Sequence, residues 1–294
     1  MMWVPVFACP ECSAELEAAH AEACGCARCG NRYTCADGLW HFLTPARTRI
    51  LEPFLRQYRA VRERDNRRRV AASYYQCLPW VEAGDPHASE WQIRRETYGH
   101  LLRRVLAESD SMRILDLGAG NAWLSHRLAA LGHEAVAVDA LDDDADGLGA
   151  LKHYPVRFAA IQADYDALPL APRQFDLVVF NGSLHYAPDA AATLAAARRM
   201  LSPGGTIAVM DSPMFTHDAD GQAMVAAAGL VQPGSGYLTF ASLDRSARML
   251  GLRSEFVPSW GPIGWRLRRR VGGWRLRRAP AAFGLWVGKE REDS

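Results

Sequence analysis

The chain has 294 residues, a formal charge of +1 at pH 7, and 49% hydrophobic and 23% charged residues. That length suits about two domains, one of them with a sizeable core, and no apolar run approaches the ~20 residues that a bilayer-spanning helix needs. The near-neutral charge separates no class of partner; Lys152 and Lys289 are the only lysines, so the basic content is almost all arginine.

The N-terminus lacks a basic start and Pro5 breaks its short apolar stretch, which argues against a signal peptide and for a cytoplasmic protein. Six of the seven cysteines lie within residues 9–35. Cys9-Pro-Glu-Cys12 and Cys26-Ala-Arg-Cys29 form two Cys-x-x-Cys knuckles separated by 13 residues. Two such knuckles can close a tetrahedral thiolate site on zinc, and so small a segment needs a metal to fold. Cys24 and Cys35 are spare, and Cys24 could substitute for Cys26. Four thiolates leave no open coordination position, so the expected Zn2+ is structural.

Residues 1–45 read as this ribbon and 46–84 as a helical linker or lid, ahead of a catalytic domain over 85–294. A helix is expected from about Arg49 to Gln76, with Arg56, Arg59, Arg62, Arg64, Arg67, Arg68 and Arg69 set against Glu63 and Asp65. Leu78-Pro79 and Gly84-Asp85-Pro86 end it. A second helix is expected over Ser89 to Glu108, with Trp91, Leu101 and Leu102 on its apolar face.

The most informative stretch follows. Ile114-Leu-Asp-Leu-Gly118-Ala-Gly120-Asn-Ala122 is an apolar strand closing on an acid, then a glycine turn, then an amphipathic helix. Such a turn lets the backbone approach a ligand closely at a helix N-terminus. Asp116 would repel a dinucleotide pyrophosphate, and the third glycine of the dinucleotide pattern is replaced by Ala122. A sulfonium and ammonium cofactor has the opposite need, which favours S-adenosylmethionine over a nicotinamide dinucleotide. Four more apolar runs close on polar residues: Glu134 to Asp139, Val156 to Ala163 before Asp164-Tyr165, Phe175 to Phe180 before Asn181, and Thr206 to Met210 before Asp211. Leu201-Ser-Pro-Gly-Gly205 reads as the turn before the last. Separated by helix-like sequence, these runs match alternating βα units whose carboxyl ends face one crevice.

With Asp116-Leu-Gly-Ala-Gly120, Asp139, Asp164-Tyr165, Asn181-Gly-Ser-Leu-His-Tyr186 and Leu201-Ser-Pro-Gly-Gly205 in hand, roughly residues 85–290 resemble the class I S-adenosylmethionine-dependent methyltransferases. The likeness is to the methyltransferase type 11, ubiquinone-biosynthesis-like group. It implies an α/β, Rossmann-like seven-stranded sheet. By that resemblance Asp116, Gly118, Ala119 and Gly120 border the methionine part of the cofactor, and Asp139 with Ala140 the ribose. Asp164, Tyr165 and Asn181 complete the set, Asp164 meeting the adenine amino group. The cysteine-rich segment looks like the small ribbon found on some methyltransferases and on their activator subunits.

After Asp211 a long irregular stretch is expected to about Thr239, then helix Phe240 to Leu250 and strands Arg253 to Val257 and Phe283 to Val287. Between those strands Trp265-Arg-Leu-Arg-Arg269 and Trp274-Arg-Leu-Arg-Arg278 repeat at a nine-residue offset, with seven arginines and no acid. This segment reads equally as a basic flap that captures an anionic acceptor or RNA and as a solvated amphipathic helix.

Methyl transfer is an in-line displacement in which the protein aligns the acceptor and excludes water. His185 stands where a base could reach an acceptor, although a capping or core role suits it equally; Tyr186, Asp211 and His217 are candidate substrate contacts. The turn Asn181-Gly182-Ser183 lacks the Asn/Asp-Pro-Pro-aromatic pattern of amide-nitrogen methylation, and the catalytic half holds no cysteine. A small or lipid-like acceptor methylated on oxygen, ring nitrogen or activated carbon is the first expectation. An RNA methyltransferase and a non-catalytic scaffold or activator are the alternatives.

Overall fold

The computed structural model describes residues 3–16, 22–69, 71–107, 109–228, 234–275 and 279–290, with the side chains of residues 268, 269, 274 and 275 also outside the description. Its residues fall into two compact units: Met1–Gln76, Asp110–Val178 and Arg199–Gly205 form the first, and Cys77–Ser109, Val179–Arg198 and Thr206–Ser294 the second.

The first unit begins with three short strands, β1 (Ala23–Gly25), β2 (Arg32–Ala36) and β3 (Leu39–His41), followed by helix α1 (Pro45–Arg64). Helix α2 (Ala72–Cys77) leads out of this unit, and α3 (Ala88–Leu101) belongs to the second. The expected single helix from Arg49 to Gln76 is therefore two. Thr44 caps α1 by accepting from the Arg47 N–H, which sets an earlier start. Asn66 takes a left-handed φ of 52° and stops it. The expected helix over Ser89 to Glu108 starts one residue early and widens to a π-helical turn over Leu102–Leu106, Glu108 lying outside the described residues.

The βα alternation then runs β4 (Arg113–Leu117), α4 (Trp123–Ala130), β5 (Glu134–Asp139), β6 (Ala159–Gln162), β7 (Phe175–Asn181), α5 (Ala190–Met200) and β8 (Leu201–Met210). In the first unit the strand order is β1-β2-β3-β6-β5-β4-β7-β8, with β3, β6, β5 and β4 pairing in parallel. The order reverses at β4, which makes its carboxyl end a topological switch point. Ile114, Leu115, Val136, Val138, Leu177 and Val179 are all buried, as a parallel sheet covered on both faces requires. β3 of the ribbon is thus a strand of this same sheet, with Trp40 opposite Ile161.

In the second unit the ends of β7 and β8 continue, and β8 is flanked by β12 (Phe283–Glu290) and then β11 (Leu252–Ser259), both pairings antiparallel. Here too lie β9 (Met214–Phe215), α6 (Asp218–Ala228), β10 (Leu238–Thr239), α7 (Phe240–Met249) and α8 (Ile263–Arg275). The architecture is the expected Rossmann-like α/β fold, with two departures. Leu201-Ser-Pro-Gly-Gly205, expected as a turn, is already strand. Ser202 Oγ donates to the Phe175 carbonyl and to Asp176 Oδ1, both at 2.9 Å, and Gly204 at φ 76° absorbs the bend. The stretch from Asp211 to Thr239, expected as irregular, contains α6. Most of the arginine repeat is helix α8; Leu276, Arg277 and Arg278 lie outside the described residues. Among the described residues no helix is long and apolar enough to cross a membrane.

Candidate cofactor cradle and acceptor cavity

In the first unit the turn after β4 is held in a shape that few residues adopt. Gly118 and Gly120 have φ of 72° and 55°, and Ala122, the residue capping α4, has φ 57°. A non-glycine residue there is strained, and such strain gathers at functional turns. The N–H groups of Gly118 and Ala119 donate to the Val138 carbonyl at 2.8 and 3.0 Å. The Gly120 N–H donates to Asp139 Oδ2 at 2.7 Å, while Asp139 Oδ1 accepts from the Leu141 N–H at 2.7 Å. The glycine turn and the acid closing β5 are therefore one hydrogen-bonded assembly, with Ala140 between Asp139 and Leu141.

Asp116 is completely buried, accepts from Ser125 Oγ at 2.7 Å through Oδ2, and leaves Oδ1 with no partner. Burial raises its carboxyl to about 7, with the nearby Asp139 charge adding to the rise, and burial raises Asp139 to about 6. Among the described residues no cation offsets either. A cationic ligand fits this pair: the orphaned oxygen and the desolvated carboxylates both lack a positive partner. Asp164, mostly buried, receives the Asp166 N–H at 3.0 Å and lies 3.5 Å from the Arg47 guanidinium. Tyr165 follows it in the chain.

The loop after β5 meets the arginines of α1. Arg62 forms a bidentate pair with the buried Asp146, while Arg59 and Arg68 lie 3.9 and 3.8 Å from Asp143. The sequence reading paired none of these acids with the arginine run. The signal was present, since Asp142-Asp-Asp144-Ala-Asp146 is the densest acidic run in the chain.

At the N-terminus the sulfur atoms of Cys9, Cys12, Cys26 and Cys29 lie within 4.8 Å of one another, and the Cys9–Cys29 and Cys12–Cys26 pairs at 3.5 and 3.4 Å. Four sulfurs about 2.3 Å from a central ion would be spaced comparably, so the set fits tetrahedral zinc. The backbone N–H of Cys29 brings the Cys26 thiol down to about 6, which favours the thiolate that a metal needs. Cys24 sits in β1 opposite Tyr33, outside the cluster. Tyr33, Phe42 and Phe7 make a small aromatic core behind it, with ring centroids 4.7 and 5.1 Å apart in successive pairs.

The second unit holds a cavity of about 420 Å³, walled by Ile93, Phe215, Met224, Trp265, Pro280 and Phe283, with Glu90, Arg94 and Asp211 as its charged members. Arg94 lies 5.0 Å over the Trp91 ring, and no carboxylate approaches its guanidinium within salt-bridge distance among the described residues. Asp211, at the end of β8 with a left-handed φ of 51°, accepts from Thr97 Oγ1 at 2.6 Å and leaves Oδ2 buried and unpartnered. Burial raises its carboxyl to about 6, although the Arg94 charge pulls it down. Arg94 was missed from sequence, where it is one arginine among many. The pattern Glu90, Ile93, Arg94, Thr97 sets polar groups on one face of α3 at helical spacing and could have found it.

Asn181, at the end of β7, is buried with Oδ1 unpartnered. His185 is buried, with Nδ1 3.2 Å from Ser212 Oγ and its ring 4.0 Å from that of Tyr186. Burial, assisted by the Arg94 charge, holds its imidazole down to about 3, so it is neutral near pH 7. His217 is exposed at the start of α6. Of the four expected catalytic and substrate residues, only Asp211 lines the cavity.

The family described as "Methyltransferase domain" matches residues 115–209, from the first βα strand to the fifth. The chain is 31% identical over 146 residues to a malonyl-[acyl-carrier protein] O-methyltransferase of Pseudescherichia vulneris, covering 49% of this chain and 53% of that protein. It is 32% identical over 134 residues to a ubiquinone biosynthesis O-methyltransferase of Xanthomonas campestris pv. campestris, covering 44% and 54%. The chain thus spans about half the length of the curated relatives it matches. Among solved structures, a chain of the complex between the Haloferax volcanii Trm112 methyltransferase activator and a methyltransferase superposes with a TM-score of 0.53 at 18% identity, covering 74% of this chain and 98% of that one. An S-adenosylmethionine dependent methyltransferase from Mesorhizobium loti gives 0.50 at 21%, covering 67% and 100%; both likenesses concern the fold. The strand order, the glycine turn tied to Asp139 and the matched region agree: residues 115–209 form a methyltransferase domain on a Rossmann-like fold.

Proposed function

We propose that the protein transfers a methyl group from S-adenosylmethionine to an oxygen of a small, partly apolar acceptor that reaches the site already anionic. The observation that carries the donor is the paired, cation-free carboxylates of Asp116 and Asp139 around the Gly118–Gly120 turn. Asp116 and the backbone from Gly118 to Gly120 would hold the methionine end, Asp139 and Ala140 the ribose, and Asp164, Tyr165 and Asn181 the adenine side. The bound cofactor supplies an electrophilic methyl on a sulfonium; the chain's own residues bind and orient the acceptor and keep water out.

The cavity of the second unit supports an acceptor with an apolar body and an anionic oxygen. Its walls are largely carbon, Arg94 offers a guanidinium that forms no salt bridge among the described residues, and Asp211 offers an acceptor for a hydroxyl or amine. An ionised oxygen needs no strong base. That agrees with a His185 held near 3, which orients Ser212 and the substrate turn as a neutral ring rather than removing a proton. Tyr186 and His217 remain secondary candidates for substrate contact. Both relatives quoted above are named as O-methyltransferases, which favours oxygen over nitrogen or carbon. The four cysteines hold a structural zinc ion in the ribbon of residues 1–45, residues 46–84 link it to the catalytic domain of 85–294, and the protein works in the cytoplasm.

The test is calorimetry with S-adenosylmethionine on the intact chain and its Asp139→Ala variant, followed by an acceptor screen that reads S-adenosylhomocysteine release. Loss of about 1.5–3 kcal/mol of donor affinity is expected in the variant. Among acceptors, carboxylates and acidic phenols with apolar bodies should turn over, and Arg94→Ala should raise their KM more than it lowers kcat. Equal donor affinity in the two proteins would refute the cradle, and preferred turnover of cationic or purely polar acceptors would refute the cavity assignment.

A further inference from the structure

Helix α8 shows two apolar faces. Trp265 and Gly272, two and nine positions after Ile263 at 100° per residue, share the face that lines the acceptor cavity. On the opposite side Ile263, Leu267 and Val271 follow one another at intervals of four, and their exposures are 72%, 57% and 49%. Trp260, three residues ahead of Ile263 and 55% exposed, extends the stripe. Elsewhere large exposed apolar side chains are scattered one at a time: Val6, Ile50, Trp80, Leu131 and Met249. A single exposed leucine means little, but a continuous row on one helix calls for a partner.

The charge beside the stripe says which partner. Between Ile263 and Arg275 the sequence has five arginines and no acid. Arg266 and Arg270, both exposed, border the stripe on one side, and Arg266 lies 5.2 Å over the Trp260 ring. Glu96, beside the start of the helix, is already engaged by the N–H groups of Trp260 and Gly261, each at 3.0 Å. A protein partner could cover the apolar row, and RNA could cover the arginines. An anionic bilayer surface takes both at once, because acyl chains receive the row while headgroup phosphates receive the guanidinium groups.

We propose that α8 is an interfacial membrane helix, laying Trp260, Ile263, Leu267 and Val271 into an anionic lipid surface with Arg266 and Arg270 at headgroup level. Its inner face meanwhile walls the cavity, so the element that touches lipid is the one that encloses an amphipathic acceptor. The attachment is peripheral and reversible, and it does not depend on the methyl-transfer reading.

The experiment is co-sedimentation of the full chain with vesicles of phosphatidylcholine alone and of phosphatidylcholine mixed with phosphatidylglycerol, across a salt series. S-adenosylmethionine binding is measured on the same samples. Binding is expected to the mixed vesicles only, weakened by salt, with an emission shift from the tryptophans as they enter the interface. Leu267→Asp should abolish vesicle binding. Arg266→Gln and Arg270→Gln should weaken it by about fivefold each. All three variants should keep donor affinity, which shows that they fold. Equal binding of Leu267→Asp, failure of the chain to bind mixed vesicles, binding to an RNA homopolymer in place of vesicles, or a stripe consumed by self-association that Leu267→Asp disperses would each overturn the proposal. A chain that binds vesicles but not S-adenosylmethionine would leave this inference standing and remove the methyl-transfer reading instead.

Discussion

The chain has two arginine-rich segments of similar composition, and the fold treats them oppositely. On α1 and just after it, Arg59, Arg62 and Arg68 face Asp143 and Asp146, so charge is matched within the unit. On α8, Arg266 and Arg270 face solvent beside an apolar row. The first segment is architecture, and the second is poised for something outside the chain. The same contrast holds for acids: Asp146 has its arginine, whereas Asp116 and Asp139 have no cation. Charge left unmatched in a folded protein, more than charge in a sequence, marks where a charged ligand belongs.

The sharpest way to break this contrast is to unmatch the matched pair. Arg62→Ala strands the buried Asp146 carboxylate and should cost about 3 kcal/mol of stability, read as the shift of the denaturation midpoint at constant slope. A loss below ~0.5 kcal/mol would place α1 with α8. Next comes the pH dependence of donor binding. Burial raises Asp116 to about 7 and Asp139 to about 6, so both lose their charge as pH falls through that window. A cationic donor selects the ionised forms. Its affinity should therefore rise between pH 5.5 and 7.5 and level off above ~8, with proton release on binding near pH 6.5. Flat affinity over that range would mean that a cation already serves these acids. With His185 near 3, His185→Ala should leave the shape of the kcat profile for an anionic acceptor unchanged between pH 6 and 7. The smallest effect sharpens the contrast from the other side: Arg266→Gln with Arg270→Gln should change stability by no more than about 0.5 kcal/mol, since both arginines are exposed and form no salt bridge among the described residues.

How much of this could be read in advance depended on whether the signal was local. Glu134–Asp139 is strand at the expected boundaries because its apolar run is continuous and ends on an acid. The four-cysteine set was legible from spacing alone, and the structure brings those sulfurs together. Helix α6 was not legible. Gly221 is a poor helix former near its start, which is held by tertiary contact, with Tyr237 donating to Asp218 Oδ1 at 2.7 Å and its ring packed against Gly221. Nor was the pairing of Arg94 with Asp211 in one cavity, since 116 intervening residues separate them and no local pattern links a helix face to a distant strand end. Cofactor cradles sit in contiguous turns, whereas acceptor sites are assembled from distant segments, which is why the donor was easier to name than the acceptor.

One feature of the ribbon bears on how the molecule would fail. β3 hydrogen-bonds along β6, with Leu39 opposite Ala160 and His41 opposite Gln162, and His41 Nδ1 lies 2.8 Å from Gln162 Oε1. The cysteine-rich segment thus acts as a sealing strip on a parallel strand whose middle residues are buried. With zinc held there as proposed above, stripping the ion should bare that rim to other chains, and the first symptom of zinc starvation should be clumping.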